Sequence, residues 1–210
     1  MSKTSYKTKI INNHKEFEER IEKILQYAQE IVIDLPFKQQ KFTIQEKHLI
    51  LESLILRVCA LWEKFLETEL ILVVGYDPSK LIEKMNIRNI TKPNLSLIRA
   101  ILFSDVFRDF HDIERSKSFF KKYIVNGYNC FNKISSNQVK KIQFIYTIRN
   151  YLSHYSEFAK RKLLDSYKKE YGLSRFLEPG QFLFVNNGKR FRDLVATLKF
   201  CSINMKTIFK

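Results

Sequence analysis

An all-α fold, a bundle of five to seven helices, is the class this sequence predicts. Three observations lead there. Only five Gly and four Pro occur in 210 residues, where ordinary usage would give about 12%. A sandwich or barrel needs a turn about every 8–12 residues, and so few breakers cannot supply them. Long stretches carry apolar side chains at spacings of three and four, the period of a helix face. Helix-start signatures stand in front of several of those stretches. A chain of 25.2 kDa fits one domain and removes roughly 70% of its unfolded surface from water.

Residues 1–13 read as a flexible polar tail, and residues 14–210 as a single helical domain. Asn13 with Glu16 is a helix start, and Phe17, Ile21, Ile24, Ala28 and Ile31 form one stripe that ends before Pro36. Thr43-Ile-Gln-Glu46 is a capping box. The longest helix should follow it, with Leu51, Ile55, Val58, Trp62 and Phe65 on one stripe, Leu54 and Leu61 beside them, and no breaker until Gly75. Asp77-Pro78 opens a short helix through about Asn86. A loop over 88–93 ends in Pro93, and Asn94 caps a helix through Phe107. Residues 112–124 are helical, with Phe119, Phe120 and Tyr123 apolar. Residues 125–136 are rich in turn formers. From Asn137 a helix carries Val139, Ile142, Ile145, Tyr146, Ile148 and Leu152. It continues, or bends near Ser156, into a basic segment over 157–171 with Gly172 as C-cap. Residues 173–190 are the least helical part. Phe182-Leu-Phe-Val185 followed by Asn186-Asn-Gly188 reads as a small hairpin, near 181–191, or as a loop. A last helix over about 191–208 aligns Leu194, Leu198, Cys201 and Met205.

Charge divides the chain. Residues 1–114 carry 17 basic and 17 acidic side chains; residues 115–210 carry 20 basic and 5 acidic, which is the whole net charge of +15. Within 115–162 eleven basic residues meet one acid, Glu157. Such asymmetry points to a polyanion partner, with nucleic acid the usual one, or to solubilising charge on exposed helices. Cys59, Cys130 and Cys201 are odd in number and far apart, so neither a disulfide framework nor a zinc pattern is present. Cys59 and Cys201 sit among apolar neighbours as small core residues. The basic N-terminus lacks the apolar stretch of a signal peptide. The longest aliphatic run, Leu70 to Val74, is too short to span a bilayer. A soluble, cytoplasmic chain without a membrane partner is expected.

Several chemistries are excluded by sequence. There is no GxxxxGK(S/T) and no GxGxxG, hence no phosphate-cradling glycine loop. HExxH and paired-cysteine sites are missing as well, so no metal ligands and no cofactor are expected. Gly172-Leu-Ser174 lacks the rest of a nucleophile elbow. Among four histidines, His14 at a helix start is expected to be exposed. His48 lies on an apolar helix face as a core or rim residue, and His111 beside Asp112 belongs to a solvated junction.

The fourth histidine has company. In Arg149-Asn150-Tyr151-Leu152-Ser153-His154, Asn150 and His154 are four apart and share a helix face, with Tyr146 one turn earlier. Arg149 lies one residue round the cylinder, and its long stem can swing over. One helix therefore offers an imidazole titrating near neutral pH, an always-charged planar guanidinium and an amide. A phosphodiester reaction needs these groups: the imidazole moves protons, the guanidinium holds phosphate oxygens, and the amide orients the imidazole or the substrate. Arg and His at an allowed spacing arise by chance about 0.6 times in a chain of this composition, and requiring Asn directly after Arg lowers that to about 0.04.

Arg-Asn-x3-His near the end of a long helix resembles the signature of the HEPN superfamily: Arg, four to six residues, then His, with a polar residue directly after Arg. Arg149, Asn150 and His154 match position by position. Leu61-Trp-Glu-Lys-Phe-Leu66 on the preceding long helix is similar to the bacterial branch found beside toxin–antitoxin and phage-defence genes. The resemblance implies a metal-independent endoribonuclease acting as a homodimer, in which two motif helices face each other across a two-fold axis. By that likeness His154 acts on the 2′-hydroxyl or the leaving oxygen, Arg149 steadies the phosphate, and Asn150 holds the geometry. Tyr146 and Tyr155 are supporting candidates. Glu63 pairs with Arg149 or is an exposed helix charge. Lys140, Lys141, Lys160, Arg161 and Lys162 are candidate RNA contacts. The implied partners are RNA, a second copy, and a cognate antitoxin or defence protein; other family members are adaptors that bind RNA, a nucleotide or a protein without cleaving. A subgroup of these toxins carries Tyr two residues after the His and is silenced by nucleotide transfer to it. Here position 156 is Ser, and Tyr155 follows His154 directly, a departure from that form of control.

Overall fold

A computed structural model describes residues 2–33, 42–86, 92–103 and 110–209. Eight α-helices and no strand occur among them: α1 (Lys3–Ala28), α2 (Ile44–Tyr76), α3 (Ser79–Met85), α4 (Leu95–Phe103), α5 (Ile113–Tyr123), α6 (Ser136–His154), α7 (Glu157–Tyr171) and α8 (Pro179–Lys206). A π-helical turn, Gln29–Ile33, extends α1. Short 3-10 turns occupy Asn126–Tyr128, Cys130–Lys133 and Thr207–Phe209. The all-α class is as the sequence predicts. The count is eight rather than five to seven because the chain breaks after His154, separating α6 from α7. The expected helix ends at Pro36 and Phe107, and most of the 88–93 loop, lie outside the described residues.

Side-chain caps set most helix starts. The Thr43 N–H donates to Glu46 Oε2 at 2.7 Å, and the Glu46 N–H returns to Thr43 Oγ1 at 3.2 Å, a reciprocal capping box. Asp77 accepts from the Ser79 N–H at 3.1 Å, Asn94 from Leu97 at 2.8 Å, Asp112 from Arg115 at 2.9 Å and Ser156 from Ala159 at 3.2 Å. Each satisfies an N–H that has no partner inside its own helix. Gly172, with φ of 65°, closes α7 in the left-handed conformation glycine adopts without strain.

Two expectations are corrected at the chain ends. Residues 3–13 are helix rather than flexible tail: Tyr6 and Ile10 are buried and carry the Phe17–Ile21–Ile24–Ala28 stripe back toward the N-terminus. The polar residues between them hide this stripe from a reading of composition. The segment near 181–191 forms no hairpin. Phe182 and Leu183 are adjacent and both buried, whereas strand neighbours would point to opposite faces. Asn186, Asn187 and Gly188 do take positive φ (54°, 52° and 73°), but they form one left-handed turn between two helical stretches of α8. Gly75 stands one residue before the end of α2 at Tyr76. A side chain there would begin 2.3 Å from a ring carbon of Tyr6, so glycine serves close approach of the Tyr6 ring.

The chain divides into two compact units. The first comprises Met1–Glu18, Trp62–Ser136 and Phe200–Lys210; the second comprises Glu19–Leu61 and Asn137–Lys199. In the first, Phe17 stacks on Phe65 at 4.6 Å, and Trp62 closes the cluster. Beside them lies a buried polar chain. The ring of His14 joins Ser202 Oγ at 2.8 Å and Glu69 Oε1 at 3.1 Å. Asn13 donates to Glu69 at 3.0 Å, and Ser202 donates to Glu18, which also pairs with Lys206 at 2.8 Å. His14 is thus wholly buried, not exposed: α1 starts eleven residues before it, which puts it on the inner face. Buried polar groups persist where their hydrogen bonds are met, as here. In the second unit, Phe144, Tyr167, Tyr171 and Phe182 pack ring against ring, Tyr167 stacking on Phe182 at 4.5 Å. Cys59, Cys130 and Cys201 are buried. Among the described residues no helix is long and apolar enough to cross a membrane.

Candidate active site

Helix α6 holds the Arg149-Asn150-x3-His154 motif. Ile142, Ile145, Ile148 and Leu152 are buried with Phe144 and Tyr151, which fixes the helix in the second unit and turns Arg149 and Asn150 to its half-buried flank. There Arg149 Nη1 donates to Asn150 Oδ1 at 3.1 Å. The guanidinium and the amide are therefore held as a pair.

His154 is the last residue of α6 and is exposed. The helix stops there because Tyr155 adopts φ of 45°, a left-handed conformation uncommon outside glycine. The Tyr155 N–H still donates to Tyr151 O at 2.8 Å, and Ser156 opens α7 directly after. Among the described residues no hydrogen bond holds the His154 ring. Strained backbone of this kind concentrates at functional sites.

Around the same helix end lies a group that sequence reasoning missed. The Tyr151 hydroxyl donates to Glu178 Oε2 at 3.0 Å, and Glu52 Oε1 accepts the Gly180 N–H at 2.7 Å. A side chain at Gly180 would begin 2.5 Å from His48 Cβ, so only glycine brings that N–H to Glu52. Burial pushes the Tyr151 hydroxyl up to about 12, helped by its bond to Glu178 and by the nearby carboxylates. Burial raises Tyr155 as well, with Glu52 and Glu178 adding to it. Glu52 is raised by burial, lowered in part by the Gly180 N–H, and raised by Glu178. Burial lowers the His48 imidazole. The signal that could have found Glu178 is the proline after it: Pro179 at the first position of α8 is a helix-start mark.

Arg149 and Asn150 are brought together by a hydrogen bond, with His154 on the same helix one turn beyond Asn150. Tyr146 is 1% exposed. Tyr155 is 65% exposed. Glu63 Oε2 lies 2.9 Å from His111 Nε2. His111 is accordingly half-buried and hydrogen-bonded to Glu63. Lys140, Arg161 and Lys162 are exposed, and Lys141 and Lys160 half-buried. Among the described residues no group of three or more His, Cys, Asp or Glu side chains is placed to hold a metal ion.

Comparison with known proteins returned no matching family model, no matching curated protein and no matching solved structure.

Proposed function

We propose that this chain is an endoribonuclease of the HEPN type, cleaving RNA without a metal ion and serving as a toxin or antiviral defence effector. The observation that carries the reading is the Arg149–Asn150 pair at 3.1 Å on the helix that ends in an exposed His154, inside the most basic stretch of the chain. The 2′-oxygen of the substrate attacks the adjacent phosphorus, the bond from phosphorus to the 5′-oxygen breaks, and the products are a 2′,3′-cyclic phosphate and a 5′-hydroxyl. One proton leaves the 2′-hydroxyl and one arrives on the 5′-oxygen; His154 serves one of these transfers. Arg149 holds the non-bridging oxygens as charge builds on them. Asn150 fixes the guanidinium through its side-chain oxygen.

By resemblance, two copies supply one composite cleft, with Arg149 and His154 close to the two-fold axis. Sedimentation at micromolar concentration is expected to find a dimer, and a monomer would remove the composite site. The activity test is cleavage of single-stranded RNA in EDTA. Wild type cuts; His154→Ala and Arg149→Ala fold normally and do not.

A second reading, a non-catalytic HEPN module that binds RNA, a nucleotide or a protein, is favoured by one observation. Among the described residues nothing orients the His154 ring, whereas catalytic imidazoles are commonly oriented by a hydrogen bond. Such a module retards RNA and leaves no cyclic-phosphate ends.

A further inference from the structure

We infer that Tyr155 and Phe158 form a base-stacking subsite beside His154, which makes unpaired nucleotides the part of an RNA that this surface takes. The inference rests on the ribonuclease reading for its placement, and on separate observations for its content. Large aromatic side chains are ordinarily among the more buried residues. Tyr155 is 65% exposed and Phe158 61%, and they flank the same helix junction three residues apart. Tyr155 is presented there by its left-handed backbone, so its exposure is built into the turn. Behind it the rings are braced: Tyr155 lies 5.3 Å from Tyr151, and Tyr151 lies 5.3 Å from Phe176. Tyr151 meets the Tyr155 ring at a tilt of 54°, and the exposed remainder of Tyr155 is open to a planar partner.

Cations accompany these rings. Lys162 Nζ lies 4.4 Å from the centroid of Phe158, and Lys160 Nζ lies 5.1 Å from that of Phe176. Arg161 between them is exposed. Aromatic platforms with basic side chains alternating along them are the arrangement that binds single strands: rings take the bases and cations track the phosphates. A carboxylate has a place in this division. Glu157 lies two residues beyond Tyr155, so the Tyr155 end suits a neutral base. The Phe158–Lys162 end suits the backbone. A base inside a duplex has no free face to stack, so the platform discriminates against paired RNA. The charge favours a polyanion over an apolar protein partner for the same rings.

The experiment uses the full chain carrying His154→Ala, so that the RNA survives, and a twelve-nucleotide RNA with 2-aminopurine at its adenines, single-stranded or annealed to its complement. Expected are binding of the single strand with quenching of 2-aminopurine fluorescence, and far poorer binding of the duplex. Adding Tyr155→Ala or Phe158→Ala should weaken single-strand binding about five-fold or more each and relieve the quench; Tyr155→Phe should retain both. Thermal unfolding by circular dichroism checks that each variant is folded. Equal affinity for single strand and duplex, or undiminished binding and quench in the Tyr155→Ala, Phe158→Ala double variant, overturns the inference and leaves the rings to a protein partner. Cleavage by the unmodified chain is scored separately: quenching without cleavage refutes the nuclease reading and retains the subsite, while cleavage with no effect of either ring does the reverse.

Discussion

At the scale of single residues, α6 ends in an exposed imidazole, and the buried Tyr151 on the same helix bonds to the exposed Glu178, while Glu52 is half-buried. Glu52 carries the clearest pH consequence. Its carboxyl is raised above the ordinary value, mainly by burial. A group whose folded value is raised contributes stability that is fully present below the unfolded pKa and is lost as pH rises through the folded one. Ionised Glu52 therefore weakens the fold at neutral pH. Glutamine at the same position keeps an oxygen for the Gly180 N–H without the charge. Glu52→Gln is expected to unfold at a higher temperature than wild type at pH 7, with the gap closing toward about pH 4, where the unfolded carboxyl is itself protonated. Thermal melts across that range check it; a gap independent of pH would contradict it. The motif triad was legible in sequence because its groups lie within one and a half turns of one helix. Glu52 and Gly180 were not, because they meet across 128 positions, nor was Glu178, whose partner Tyr151 lies 27 positions away. His14 escaped for a similar reason: its partners Glu69 and Ser202 are distant in sequence, and nothing local marks it as buried.

At the scale of elements, local chemistry predicted starts better than interiors. The Thr43–Glu46 box, Asn94, Asp112 and Gly172 act where their residue types say they should, since each needs only neighbours within three positions. The Asn186-Asn187-Gly188 run was misread because its local signal is real and its use is set by packing. Glycine within α2 makes room for Tyr6, and the asparagines turn the chain left-handed without reversing it into a hairpin. That turn gives a direct test. Asn187→Ala places an ordinary side chain at φ of 52° and is expected to cost about 1 kcal/mol, while Asn187→Gly is neutral or stabilising. Urea unfolding measures both; equal loss in the two variants would assign the effect to the lost amide side chain instead of the backbone.

At the scale of the whole molecule, the +15 net charge predicts how binding responds to salt. Contacts to phosphates release counterions, so affinity for single-stranded RNA should fall with salt at a log–log slope near −0.7 per phosphate neutralised. Replacing Lys160, Arg161 and Lys162 together by Ala should make that slope shallower by about two, and fluorescence anisotropy between about 50 and 200 mM salt reads it. A slope unchanged by the triple substitution would place the phosphates elsewhere on the chain. The helical class was legible from Gly and Pro scarcity and apolar spacing, which are properties of the whole sequence. The division into two units was not, because α1, α2 and α8 each supply residues to both and no linker composition marks a boundary.

The central claim is that Arg149, Asn150 and His154 cleave RNA by transesterification. The most direct measurement maps the ends of RNA fragments produced in EDTA by the wild-type chain and by His154→Ala. The account predicts 2′,3′-cyclic phosphate and 5′-hydroxyl ends from wild type and intact RNA from the variant. Equal cleavage by both proteins, or activity that disappears with the chelator, would contradict it.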